Sequence, residues 1–141
     1  VGFAVGNKNI IEALNLLQDH LFVSLFPAVQ HAAVSALSEN QLCVTSLVDR
    51  YESRRNAFIS ACQRIGWQVE APKGSFFAWL PVKEGYTSQE FADKLLHEAD
   101  VAVAPGSGFG EFGEGYIRVG LLVDENRLEE AVDRIGKLEI F

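Results

Sequence analysis

One side chain in this sequence stands out as able to do chemistry, and it is Arg118. It sits in the run Tyr116-Ile117-Arg118-Val119-Gly120-Leu121-Leu122-Val123, apolar apart from that one charge. In an extended chain successive side chains point to opposite faces. Ile117, Val119 and Leu121 then share a face that reads as core, and Tyr116, Arg118 and Gly120 share the other. The cation has no acidic neighbour on its own strand. Two readings are open: an arginine exposed on an edge strand, or a guanidinium holding a carboxylate through two parallel hydrogen bonds. A strand sets that planar fork at a fixed height. Five glycines just upstream, Gly106, Gly108, Gly110, Gly113 and Gly115, allow a small ligand to come close to the backbone.

The other candidate chemistries are weaker. Gly108, Gly110 and Gly113 spell G-x-G-x-x-G, but the dinucleotide fingerprint needs a strand before it and a helix after it. Here a strand follows, and Glu111 and Glu114 would repel a pyrophosphate. His20, His31 and His97 are scattered without ligand spacing, so no metal is expected. Ser75 and Ser107 lie beside glycines with no His or Asp placed to activate them. The lysines, Lys8, Lys73, Lys83, Lys94 and Lys137, fall in turns or on polar helix sides, so none is expected as a desolvated nucleophile. The net charge of −7 argues against nucleic acid. No apolar run approaches the ~18 residues of a membrane span. Cys43 and Cys62 both fall in a helical stretch and read as buried free thiols, which suits a cytoplasmic location.

The elements that must position Arg118 follow from periodicity. Residues 1–5 are apolar and read as a strand ending at the Gly6-Asn7 turn. The sequence has no Met, and a strand beginning at residue 1 suggests a piece of a longer protein. A helix from about Asn9 carries Ile10, Ile11, Leu14 and Leu17 at helical spacing. Residues 20–26 are almost wholly apolar without period, either a buried strand or a loop that packs on another chain. Pro27 suits a first helical turn, and the alanines after it (28, 32, 33 and 36) suggest close approach to another element. One long helix is predicted over residues 40–65, ended by Gly66. Its apolar face would carry Leu47, Val48, Tyr51, Phe58, Ile59 and Cys62, and its wet face Arg54 and Arg55. Short strands are expected at 67–70 and 75–82. A Thr87–Glu90 capping box opens a helix with Phe91, Leu95 and Leu96 inward. A short apolar run, 101–104, leads into the glycines, and the strand at 116–123 follows them. Asp124 caps a last helix with a Glu130–Arg134 pair. The pattern predicts an α+β fold, a two-layer sandwich with a small antiparallel or mixed sheet and helices on one face.

Four stretches, in this order, together resemble class I and II pyridoxal-phosphate aminotransferases of fold type I. Val1-Gly2-Phe3-Ala4-Val5-Gly6-Asn7 is similar to the strand after the family's cofactor-lysine region. Tyr51-Glu52-Ser53-Arg54-Arg55-Asn56 is similar to a tyrosine-and-arginine stretch of its long interdomain helix. Pro72-Lys73-Gly74-Ser75-Phe76-Phe77-Ala78-Trp79-Leu80 matches its P-x-G-x-F-F-x-W strand. Pro105-Gly106-Ser107-Gly108-Phe109-Gly110 with Tyr116-Ile117-Arg118-Val119-Gly120 resembles its C-terminal signature. Within the family, residues 74–79 and 115–122 look closest to the bacterial methionine-salvage branch, which moves an amino group from glutamine to a methylthio keto acid.

The resemblance implies a sheet-and-helix unit of the aminotransferase small-domain type. Residues 1–26 would be the tail of the large cofactor-binding domain, and residues 27–141 the C-terminal small domain with its interdomain helix. Arg118 would bind the α-carboxylate of amino acid and 2-oxo acid substrates. Phe109 and Gly108 would line the substrate side. Ser24 and Phe26 would lie near the active site of the partner subunit of a homodimer. The cofactor would be pyridoxal 5'-phosphate, but its Schiff-base lysine would lie upstream of Val1, leaving this piece inactive alone. A carbon–sulfur lyase of the same fold and the aminotransferase-like domain of a transcription regulator share the motifs and stay open as alternatives.

Overall fold

The computed structural model describes residues 1–22 and 24–141. The chain divides into two units, Val1–Cys43 and Val44–Phe141. The first holds α1 (Lys8–Leu21) and α2 (Pro27–Ser38). Asn7 caps α1, its Oδ1 accepting from the Asn9 N–H at 2.9 Å, and Pro27 occupies the first turn of α2. Neither helix has a buried residue. Ile10, Leu14 and Leu17 lie on one side of α1 as the spacing predicts, yet all three are exposed. Residues 1–5 are not a strand. A strand needs a neighbour to take its N–H and C=O groups, and among the described residues none is paired with it. Residues 24–26 are irregular, so the buried-strand reading fails there; Val23 lies outside the described residues. With Val1 and Phe3 the α2 alanines line an open apolar groove of about 560 Å³.

Helix α3 (Leu42–Arg64) runs on into the second unit. Gly66 ends it with φ +85°, and the Trp67 N–H reaches back to the Cys62 carbonyl at 3.0 Å while the Gly66 N–H meets Gln63 O at 3.1 Å. That is the double bond of a Schellman cap, and it needs a left-handed residue where Gly66 stands. Of the expected apolar face, Phe58, Ile59 and Cys62 are buried, whereas Leu47 and Val48 are exposed; Cys43 near the helix start, expected as a buried thiol, is exposed too. Residues 67–70 form no strand. Trp67 is buried for another reason: its Nε1 donates to Pro81 O at 3.1 Å, and its ring stacks on Phe141 at 4.7 Å.

The sheet is β1 (Phe77–Pro81), β2 (Ala104–Pro105) and β3 (Tyr116–Gly120), ordered β1-β3-β2 and antiparallel throughout. The run 101–104 contributes only the start of β2. One sheet face, with Ala78, Leu80 and Ile117, is closed to solvent, as is Leu121 just beyond β3. It packs into a single core with Phe91 and Leu95 of α4 (Ser88–Ala99), Leu128, Val132 and Ile135 of α5 (Glu125–Gly136), and Phe58 and Cys62 of α3. The predicted two-layer α+β architecture is therefore the one observed. Leu96 points outward, 45% exposed. Glu130 pairs with Arg127 at 3.2 Å, not with Arg134, so the expected i,i+4 pair is replaced by an i,i+3 one.

Candidate functional site

Arg118 occupies the middle of the middle strand, opposite Trp79 on β1 and Ala104 on β2. The edge-strand reading is thereby excluded. With period-two alternation, Phe77, Trp79, Tyr116 and Arg118 share the face away from the helices, which is the more exposed one. On it the guanidinium carbon lies 4.2 Å from the centre of the Phe77 ring and 4.0 Å from that of Phe109. A cation held this close to two ring faces is stabilised by their quadrupoles. Among the described residues no carboxylate comes within ion-pair distance of Arg118, and its N–H groups donate to no protein acceptor. Arg118 opens onto a groove of about 540 Å³ walled by Glu70, Lys73, Ser75, Phe77 and Trp79.

The glycine segment shapes the other side of the site. After β2 it forms two single 3-10 turns, Gly106–Phe109 and Glu111–Gly113. Gly106 and Gly113 are packed backbone to backbone: a Cβ on Gly106 would collide with the carbonyl oxygens of Gly113 and Tyr116. Glu114 pins this closed loop to the start of α4. Its Oε1 accepts from the Ser88 N–H at 2.8 Å and from the Gly115 N–H at 3.0 Å, and the buried Ser88 hydroxyl accepts from that same Gly115 N–H at 2.9 Å. These bonds, Ser88 first, hold the Glu114 carboxyl below the usual carboxylate range. Phe109, at the end of the first turn, meets Trp79 edge to face at 5.4 Å. Gly108 is exposed, with open space where a side chain would go.

The structure thus brings Arg118 and Phe109 together, and Gly108 lies one residue from the latter. Ser24 and Phe26 belong to the first unit, where both are exposed. The register, which no residue pattern supplies, puts Phe77 against Arg118. Sequence reasoning missed the Ser88–Glu114 clasp, which joins residues 26 apart in sequence. In the Tyr51–Asn56 stretch, Arg55 pairs with Glu52 at 2.9 Å, as a wet face predicts. Arg54 instead reaches Leu122 O at 3.2 Å, tying α3 to the segment after β3.

An antiparallel three-stranded sheet backed by helices, with an unpaired arginine on its open face beside a glycine loop, defines a class of fold. The matches to known proteins make it definite. The profile of aminotransferase class I and II covers residues 1–135, and the chain belongs to that family, which works with pyridoxal 5'-phosphate. The L-glutamine–4-(methylsulfanyl)-2-oxobutanoate aminotransferase of Bacillus subtilis is 67% identical over 141 residues, all of this chain and 35% of that protein. An LL-diaminopimelate aminotransferase of Maridesulfovibrio salexigens is 44% identical over 137 residues, 97% of the chain and 35% of the relative. Among solved structures, apo BacF from Bacillus subtilis superposes with a TM-score of 0.86 at 40% identity, over 96% of this chain and 35% of that one. The chain therefore spans about a third of the length of the relatives it matches.

Among the described residues no lysine is buried. A lysine that bonds the cofactor must be enclosed and have its amine pKa lowered. Lys8, Lys73, Lys83 and Lys137 are exposed. Lys94 is bonded to Glu98 at 2.7 Å, and that bond raises its pKa, the opposite of what a nucleophile needs. No helix of the described residues is long and apolar enough to cross a membrane.

Proposed function

We propose that this chain is the substrate-carboxylate half of an aminotransferase active site, in an enzyme that moves an amino group between an amino acid and a 2-oxo acid. The observation that carries the reading is Arg118: a guanidinium ordered between two rings, its donors unclaimed, at the edge of an open groove. Such a fork takes a carboxylate through two parallel bonds and so fixes the direction of the Cα–H bond to be broken. Pyridoxal 5'-phosphate, when bound, supplies the electron sink for that chemistry. The lysine that bonds it is assigned to the two thirds of the relatives' length that this chain does not span. Residues 1–26 are assigned to the large domain, with Ser24 and Phe26 beside the partner subunit's site in a homodimer, and residues 27–141 to the small domain. The free thiols suit a cytoplasmic enzyme.

The 67% identical relative supports glutamine as donor and 4-(methylsulfanyl)-2-oxobutanoate as acceptor. A thioether would find sulfur–aromatic contacts at Phe109 and Trp79, and Gly108 leaves room beside them. Arg118→Lys in the full-length enzyme keeps the charge and loses the fork. The expected result is a KM for the keto acid raised about 10- to 100-fold, the loss of one charge-assisted bond. An unchanged KM overturns the role.

A further inference from the structure

Resting on that reading of Arg118, we infer that Phe77 and Phe109 are positioning residues, a two-ring cage that holds the guanidinium flat and edge-out before substrate arrives. Both rings lie near 4 Å from the guanidinium carbon, Phe77 at 4.2 Å and Phe109 at 4.0 Å. The five N–H donors of a guanidinium lie in its plane. Rings on its faces leave that plane, and therefore the donors, free. An acidic neighbour would order the side chain too, but it would occupy the donors and compete with the substrate carboxylate. Aromatic faces give order without competition.

The two rings come from different elements, and each is fixed independently. Phe77 stands two residues before Trp79, the residue paired with Arg118, so it is the diagonal neighbour on the same face. Phe109 comes from the glycine loop, whose shape is set by the Gly106–Gly113 contact and by the Glu114 clasp on Ser88. Trp79 buttresses Phe109 edge to face. The loop glycines thus serve to bring a ring down on the arginine, in addition to leaving room for a ligand. A long side chain that is already ordered gives up less freedom on binding.

The test uses the full-length holoenzyme and propanoate as a competitive probe, because it has a carboxylate and almost no side chain. Phe109→Ala is expected to weaken propanoate inhibition about three- to tenfold, the worth of one partly desolvated cation–π contact. Phe109→Tyr, which keeps a ring, is expected to restore it, and Phe109→Leu, which keeps bulk alone, is not. In an Arg118→Lys background the Phe109→Ala loss should shrink to nothing, because the planar group the ring positions is gone. If Phe109→Ala leaves propanoate inhibition unchanged, or its loss simply adds to that of Arg118→Lys, the cage is wrong while the carboxylate role of Arg118 stands. If Arg118→Lys itself leaves propanoate inhibition unchanged, the functional reading falls and the cage with it. Should Phe109→Ala prove unfolded by near-ultraviolet circular dichroism, the Leu and Tyr variants decide the question between them.

Discussion

At the scale of single residues, what the sequence makes legible is charge out of place. Arg118 could be picked out because one cation in an apolar strand needs a partner, and among the described residues no carboxylate comes within ion-pair distance of it. Of the two rings beside it, only the family resemblance points to Phe109, and no residue pattern separates Phe77 from core, because Phe76, Phe77 and Phe109 carry the same apolar signal. Cysteines show the same limit. Both read as buried, yet only Cys62 is; Cys43 is exposed. Burial pushes the Cys62 thiol up to about 12 from an ordinary value near 9. The sign follows from proton counting: between those values the unfolded chain has lost the proton and the folded one has kept it, so stability falls as pH rises. Cys62 should therefore contribute a loss of up to about 1.4 kcal/mol per pH unit across that window. Chemical denaturation of wild type and Cys62→Ala at pH 8 and pH 10 checks it. The wild type should lose more over the interval, and equal losses would refute the assignment.

Elements marked by local side-chain chemistry were readable, and those defined by partners were not. The Thr87–Glu90 capping box forms as written, with the Glu90 N–H on Thr87 Oγ1 at 3.2 Å and the Thr87 N–H on Glu90 Oε2 at 2.9 Å. Asp124 caps α5 through the Arg127 N–H at 3.0 Å. Each is a bond between residues three apart, so the sequence contains both ends of it. Residues 1–5 and 67–70 have strand composition, but pairing is a property of a neighbour, and among the described residues neither run is paired. Losing the cap in Thr87→Ala should cost about 1 kcal/mol of stability, read as a lower denaturation midpoint. The glycine loop is the harder element, because its glycines are explained by distance. Gly106→Ala drives a methyl group into two carbonyls, so the loop must open. The expected outcome is a destabilisation of about 1–3 kcal/mol and a raised KM for the keto acid, since Phe109 rides on that loop. Glu114 adds a pH dependence. Its lowered carboxyl pKa means the clasp is intact above the ordinary carboxylate value and is lost as pH falls through the folded one. Amide exchange at Gly115, corrected for intrinsic rate, should become less protected in the wild type as pH falls below the ordinary carboxylate range. In Glu114→Gln it should stay nearly flat.

At the scale of the molecule, the two units differ in how much they bury. The second, Val44–Phe141, contains all sixteen buried apolar residues found among the described residues, and its architecture was predictable from alternation and capping. The first exposes Phe3 at 75%, Phe22 at 74%, Phe26 at 69% and Leu37 at 70%. Apolar surface on that scale is a mark of interaction faces, and the proposal assigns its cover to the large domain and the partner subunit. The described residues hold the arginine proposed as a carboxylate clamp, and no lysine among them is buried. The isolated 141-residue chain should accordingly bind a hydrophobic dye strongly and fail to retain the cofactor. After mixing with pyridoxal 5'-phosphate and exhaustive dialysis, its visible absorbance should return to that of the chain alone, and it should show no amino transfer from glutamine. A stoichiometric band that survives dialysis would mean that one of the five lysines is seated as a cofactor lysine must be, and the division of labour proposed between this chain and the rest of the enzyme would fall.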